Sequence, residues 1–499
     1  MPVSFNTIPS GIRVPLFYAE VDNSMANQAG ATQRTLIIGQ KLAAGTAVAN
    51  TLQYVSSVDD ARTLFGRGSQ LARMVEKYRG IDPFCEIWCI AVADDAGGTQ
   101  ATGSIVFAGP ATAAGTISLY IAGQKITAGV ASGDTATTVA AAVAAAINAA
   151  LDLPVTASAS TGTVTITARH KGTMGNDIKL QMSYGGLAAQ EKLPAGITAP
   201  ITAMASGATD PSLTAAIAAM GDEVFDGIVH PWTDSTSLDA FKTVMNDTSG
   251  RWSYLSQIYG HVWSAKRDSV SNLATFGATR NDQHHTIAGV EAEQPNPVWE
   301  VAAAYAAKAL AFLRIDPARP VQTGELLGIL PAPAGQRFTI SERQTLLSAG
   351  IATATYAGGA VRIERAITTY QKNANNQNDD SYLDVETLYT TAYVLNRLRT
   401  AITSKYARHK LANDGTRFGA GQAIVTPSVI RGEILSECYL MEEQGILENV
   451  KVMNAHMVVE RNANNPNRLD VLFPPDYVNQ LRIFALLNQF RLQYPASAA

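Results

Sequence analysis

The pattern of apolar and polar positions changes several times along the chain, and each change predicts a different kind of element. Over 481–494 the even positions Phe484, Leu486, Phe490, Leu492 and Tyr494 form one apolar face at the two-residue period of a strand. The odd positions are apolar through Leu487 and polar from Gln489 onward, which predicts a strand buried on both faces at its start and on one face at its end. A long apolar strand at a chain end is an aggregation hazard unless it is paired, and another subunit is a candidate partner. Segment 12–22 alternates more weakly through Val14, Leu16, Phe17, Ala19 and Val21. Pro15 there removes a ladder donor, which predicts an edge strand or extended arm, with a disordered leader as the competing reading.

Between these ends the pattern is that of strand–helix units. A strand at 35–39 leads to a helix capped by Ser57 with Asp60, a second helix capped by Ser69, and a buried strand at 86–92. Further on, Asp210-Pro211 reads as a helix start, followed by a strand at 225–229 and a helix at 237–245. A strand at 254–258, a helix at 264–276, a strand at 286–290 and an alanine-rich helix at 298–313 complete the series. Such repetition predicts an open, largely parallel α/β sheet with helices on both faces. Ser341 is expected to cap a helix closing at Gly350, and Gly358-Gly359 to turn a hairpin into 361–365. The C-terminal part is different: a long helix at 383–410, a helix at 427–443, then strands at 454–460, 468–473 and 480–494. Asn-rich turns at 373–378 and 462–467 separate these elements.

One stretch departs from its surroundings in composition. Between 101 and 170 the only Lys, Arg, Asp or Glu residues are Lys125, Asp134, Asp152 and Arg169, amid Ala, Thr, Gly and Ser. Strands are expected at 103–107, 116–121, 155–158 and 164–168, around a helix at 135–150. This is a small β-rich module inserted into the first domain, bounded by Gly97-Gly98 and a Gly/Pro-rich stretch at 185–200.

Composition narrows the function classes. At 499 residues, two to four domains are expected. The division is an N-terminal arm at 1–27, an α/β core at 28–98 plus 201–367, the inserted module at 99–200, and an α+β domain at 368–499. A net charge of −4 gives no global electrostatic case for nucleic acid or an acidic membrane. The N-terminus shows no signal-peptide pattern, and the most apolar run, 139–151, is too short to span a bilayer. Three cysteines in a chain this long suggest a reducing compartment, so a soluble protein made and kept in a cytoplasm, unless it leaves by lysis, is expected.

Candidate chemistry is sparse. Cys85 and Cys89 share a strand face, and Cys438 is remote; no histidine stands at zinc-ligand spacing, so burial is the expected fate of all three. His284-His285 beside Asp282 read as polar loop residues. His230 and Asp234 follow a predicted strand at the end where α/β ligands bind, and mark the one enzyme-like position, a hydrolase alternative. No phosphate loop, dinucleotide fingerprint or nucleophile elbow occurs. The acidic pairs Asp94-Asp95, Asp379-Asp380 and Glu442-Glu443 are expected in turns or on a solvated helix face. No cofactor or metal is called for. The long helix carries Arg397, Arg399, Lys405 and Arg408 toward its C-terminal half, followed by His409 and Lys410. They complement the helix dipole or form a docking stripe for an acidic partner.

The segments Val458-Val459-Glu460-Arg461-Asn462, Pro466-Asn467-Arg468-Leu469-Asp470-Val471 and Pro474-Pro475-Asp476-Tyr477-Val478-Asn479-Gln480-Leu481 resemble the C-terminal region of contractile phage tail sheath proteins, especially those of Mu-like phages. The order of parts is similar too, from the leader Pro9-Ser10-Gly11-Ile12-Arg13-Val14-Pro15 to a core interrupted by an Ala/Thr-rich module holding Gly172-Thr173-Met174-Gly175-Asn176-Asp177-Ile178. The resemblance implies a core sheet of subtilisin-like topology without protease activity, and a non-enzymatic structural subunit. It also implies that terminal arms add strands to neighbouring subunits in a helical sheath around a tail tube. The arm residues would then be Val14, Leu16, Phe17 and Val21 at one end and Phe484, Leu486, Phe490 and Leu492 at the other. Arg397, Arg399, Lys405 and Arg408 would face the tube. The implied partners are further copies of the chain, the tube protein, and baseplate and terminator proteins, with no nucleic acid and no direct membrane insertion. Assembly would take place in the host cytoplasm and the product would reside in the virion tail.

Overall fold

A computed structural model describes residues 33–493 apart from Ala420. The expected N-terminal arm, with Val14, Leu16, Phe17 and Val21, lies outside the described residues, as does Tyr494. The chain opens with β1 (Arg34–Gln40), β2 (Leu52–Val55) and β3 (Glu86–Val92). The module then supplies β4 (Gln100–Val106), β5 (Gly115–Ile121), β6 (Gln124–Val130), β7 (Val155–Ser160), β8 (Thr163–Lys171), β9 (Leu180–Met182) and β10 (Ile201–Ala205). The core resumes with β11 (Gly227–Val229), β12 (His261–Arg267) and β13 (His285–Val290), followed by the hairpin β14 (Thr353–Ala357) and β15 (Ala360–Arg365). The short pair β16 (Lys410–Leu411) and β17 (Ile424–Val425) and the hairpin β18 (Val458–Arg461) and β19 (Leu469–Leu472) end the series.

The main sheet has the order β13-β12-β11-β1-β3-β2, parallel throughout except for the antiparallel edge strand β2. A strand covered on both faces must be apolar on both, and β1 shows why Thr35-Leu36-Ile37-Ile38 sits centrally. Ile37 packs with the helices Gln70–Ile81 and Val298–Ile315 on one face. Leu36 and Ile38 pack with Phe241, Met245 and Met220 on the other. The result is a three-layer α/β core, and the chain as a whole is a mixed α/β, multi-domain fold.

Local signals explain most boundaries. Ser57 and Ser69 cap their helices as expected, accepting from Asp60 N–H and Ala72 N–H. Other expectations are corrected. The 254–258 stretch forms turns, and the strand is β12, starting at His261; its helix begins only after the Ser269 cap. β12 hides its polar residues by pairing them, His261 Nε2 with Thr286 Oγ1 and Ser264 Oγ with His285 Nε2, both at 2.8 Å. Asp210 caps nothing: it accepts from Thr173 N–H at 2.7 Å, and the helix runs from Thr214 to Ala219. Thr339, not Ser341, caps the helix Ile340–Ser348, in a capping box with Glu342. The expected strand at 454–460 is the helix Val450–His456 followed by β18.

The module builds a four-stranded sheet (β10-β4-β8-β7) and a three-stranded one (β6-β5-β9) around the helix Ala136–Ala149. Its hydrophobic interior is continuous with the core, and buried charge locks the two together. Arg73 donates from Nε to Glu300 Oε1 at 2.6 Å on the core side, and to the Asp152 carbonyl at 2.8 Å and Gln124 Oε1 at 3.2 Å on the module side. Arg267 pairs with Asp177 at 2.7 Å. His170 Nε2 accepts from Gln70 N–H at 3.0 Å, so Nδ1 carries the proton and faces Asp94 Oδ1 at 2.8 Å. Asp94 is therefore a bonded joint residue rather than a solvated turn. Gly123, at φ +74, leaves room for Asn296, whose side chain would sit 2.6 Å from an added Cβ.

Past the hairpin β14/β15, the long helix Val385–Tyr406, the helix Pro427–Glu443 and the helix Val450–His456 enclose a separate apolar cluster. Val394, Ile430, Ile434, Cys438, Met441 and Met453 form its centre.

Candidate functional site

Two features of the C-terminal part distinguish it from the core. The first is the tail. Residues 480–493 form no strand, contrary to the expected pairing. The physical reason is that a strand exists only against a partner edge, and the described residues do not bring one to them. The alternating apolar side chains are there but solvated: Phe484 is 81%, Leu486 76%, Phe490 78% and Leu492 97% exposed. Burying each against a partner would contribute about 1.5–3 kcal/mol before ordering costs. Nearby, β18 and β19 form a sheet of only two strands, with Val458, Val471 and Leu472 exposed. Each strand of such a hairpin has one unpaired edge.

The second feature is the basic helix, whose candidate residues divide into two kinds. Arg397 Nε donates to Glu437 Oε2 at 2.8 Å, and its Nη1 to Gln444 Oε1 at 2.7 Å. Lys405 Nζ lies 2.5 Å from Glu433 Oε1. Both charges are answered by the neighbouring helix Pro427–Glu443. Arg399 and Arg408 are exposed and have no ion pair among the described residues. Spacing alone did not separate paired from unpaired bases, because the acidic partners lie 28 to 40 residues away.

The enzyme-like position takes a structural role. Asp234 caps the helix Ser235–Met245, its Oδ1 accepting from Ser237 N–H at 2.9 Å. His230 is fully buried, stacked on Phe241 at 4.3 Å and edge-on to His285 at 5.3 Å. Burial pushes its pKa down to about 3, against the smaller opposing effect of Asp234. The cavity beside His285, lined by Asp282, Arg280 and Thr369, holds about 60 Å³, room for about two water molecules. His284 lies in the turn before β13 and His285 opens that strand, and both are buried; His284 Nε2 meets Asp247 Oδ1 at 2.8 Å. All three cysteines are buried and free, with burial raising each thiol's pKa, and no metal-ligand cluster occurs among the described residues. No described helix is long and apolar enough to cross a membrane.

Sequence reasoning missed Arg482 and its partners Asp384 and Glu386. Arg482 stands within an apolar run, and its role comes from contacts almost a hundred residues away.

Comparison with known proteins bears directly on this geometry. Residues 206–369 match the family described as phage tail sheath protein central domain, and residues 377–491 the phage tail sheath C-terminal domain. The chain is 43% identical over 495 residues to the Mu-like prophage FluMu tail sheath protein of Haemophilus influenzae, covering 99% of this chain and 100% of that one. Its fold is similar to the crystal structure of a sheath tail protein from Desulfitobacterium hafniense, with a TM-score of 0.50, 12% identity, and coverage of 94% and 97% of the two chains.

Proposed function

This chain belongs to the phage tail sheath family, and from that premise we propose how it assembles. It is a structural subunit of a contractile tail. In our reading it is not an enzyme; Asp234 serves as a helix cap and His230 is fully buried, which gives the hydrolase alternative no support. Copies polymerise into a helical sheath around the tail tube, and the sheath contracts when subunits rearrange as rigid bodies.

The observation that carries this reading is the exposed apolar tail, in a C-terminal part that also holds an open two-stranded sheet. Phe484, Leu486, Phe490 and Leu492 add a strand to a neighbour, and the edges of β18/β19 are suitable acceptors. Val14, Leu16, Phe17 and Val21 form the corresponding N-terminal arm. Arg399 and Arg408 face the tube, with Arg397 and Lys405 bracing the helix that presents them. The division into arm (1–27), core (28–98 and 201–367, with subtilisin-like topology), module (99–200) and C-terminal domain (368–499) follows the same scheme. Tube, baseplate and terminator proteins are the partners, and assembly takes place in the host cytoplasm before release in the virion.

Electron microscopy of the purified protein tests the reading. Rings or tubes are expected from the full chain, and none from a chain lacking 484–499 whose circular dichroism is unchanged. Normal tubes from the shortened chain would refute the arm assignment.

A further inference from the structure

The tail is fastened to its own subunit before it projects. Glu448 N–H donates to the Asp476 carbonyl at 2.9 Å, and Val478 N–H to the Ile446 carbonyl at 3.2 Å. Gln480 Nε2 donates to the Ala318 carbonyl at 3.2 Å. Arg482 then turns inward, its side chain only 11% exposed, between neighbours Leu481 and Ile483 that are more than 70% exposed. Its Nη2 lies 2.8 Å from Glu386 Oε2 and 3.1 Å from Asp384 Oδ1.

These carboxylates occupy a junction. Glu386 is fully buried in the first turn of the long helix, and its other oxygen accepts from Val321 N–H at 2.9 Å. Asp384, at the N-cap, receives a bidentate pair from Arg365 on β15, at 2.9 and 2.8 Å. Four segments therefore meet at two acids: the core hairpin, the loop carrying Val321, the start of the long helix and the root of the tail. A fully buried carboxylate without a cation is costly, and the Arg482 charge opposes the upward push that burial gives the Glu386 pKa. Nη2 of Arg482 sits at ion-pair distance from both acids without an aligned hydrogen bond. The contact is held by charge rather than by direction, and it anchors the root.

We propose that Arg482 is the positioning residue of the C-terminal arm, an ionic pivot that fixes where the arm leaves the subunit and ties its root to the joint between the α/β core and the long helix. The functional meaning rests on the reading that the arm engages a neighbour. Given that reading, tension on the arm enters the subunit at Asp384 and Glu386, where core and C-terminal part join.

Pulsed dipolar spectroscopy tests the pivot on the full chain. Spin labels at Asn396→Cys and Ala485→Cys report the direction of the arm relative to the long helix, in labelled subunits diluted with unlabelled protein; the native cysteines are buried. Arg482→Gln is expected to broaden the distance distribution roughly twofold, and Arg482→Lys by less. Because Arg482→Gln strands Glu386, a second variant, Arg482→Gln with Glu386→Gln, removes both charges. It is expected to melt near the parent temperature and still show the broad distribution. Unchanged widths in both variants would overturn the pivot. The outcome does not depend on assembly: normal tubes without 484–499 would defeat the arm reading, whereas the widths alone decide the pivot.

Discussion

The inserted module and the C-terminal tail are both appendages to the core, and they treat charge and apolar surface in opposite ways. The module has few charges, yet Asp152, Asp177 and His170 stand at its seam with the core, bonded to or through Arg73, Arg267 and Gln70. Its apolar residues join the core interior. The tail leaves its apolar residues in water, and its one well-buried charge is at the root. A segment satisfied within its chain moves with the chain. A segment satisfied only outside it is available for assembly. The module is thus built into the interior of its own chain, whereas the tail keeps its apolar face open to a partner.

The largest effect should come from the tail. Phe484→Asp with Leu486→Asp is expected to abolish tubes in electron microscopy while leaving the melting temperature unchanged, since neither side chain is buried in the subunit. A lowered melting temperature would mean that the tail contributes to its own fold, and the contrast would break. The reverse outcome is expected at the seam. Arg73→Ala leaves Glu300 buried with Asn296 and the partly exposed Lys77 as partners, so a loss of about 3–5 kcal/mol is expected in urea unfolding. A loss below about 1 kcal/mol would show that Arg73 does not hold the module to the core.

Acid should sharpen the distinction. Burial holds the pKa of His230 at about 3 and those of His261 and His285 well below the ordinary value near 6.5. The unfolded chain therefore takes up protons that the folded one refuses. Stability present above pH 6.5 is lost as pH falls toward the folded values, by about 1.4 kcal/mol per pH unit for each such histidine. Melting temperatures between pH 7 and 5 should fall, and His230→Phe should flatten the slope; a slope unchanged by the substitution would remove His230 from the explanation. The smallest effect is expected from Arg399→Glu with Arg408→Glu, a few-fold weaker tube binding that vanishes at high salt. Sheath self-assembly should be unaffected, and equal tube binding at low salt would end the docking assignment.

How much of this was legible depended on where each signal resides. The helix Pro427–Glu443 was readable to the residue because Pro427 at its first position and its apolar spacing are local. The hairpin β14/β15 was readable from Gly358-Gly359. β12 was not: His261, Ser264, Lys266 and Arg267 look unlike a buried strand until Thr286 and His285 supply partners from β13. The tail's alternation was legible as a face, but the strand expected of it does not form, since the described residues bring no partner edge to it. The pairing of Arg397 and Lys405 was hidden in the same way, along with the Arg482 junction, because ion pairs across tens of residues leave no spacing rule in sequence.

The edges of the main sheet have a consequence for crowding. On one side the sheet ends in β2, only four residues long. On the other, β13 is covered by Ala352, which accepts from Gly289 N–H and donates to the Ile287 carbonyl, both at 2.9 Å. Neither margin makes a good template for a stray chain. At high local concentration, subunits therefore meet a large sheet whose edges discourage indiscriminate stacking. Solubility before assembly and fidelity during it come from the same guarded margins.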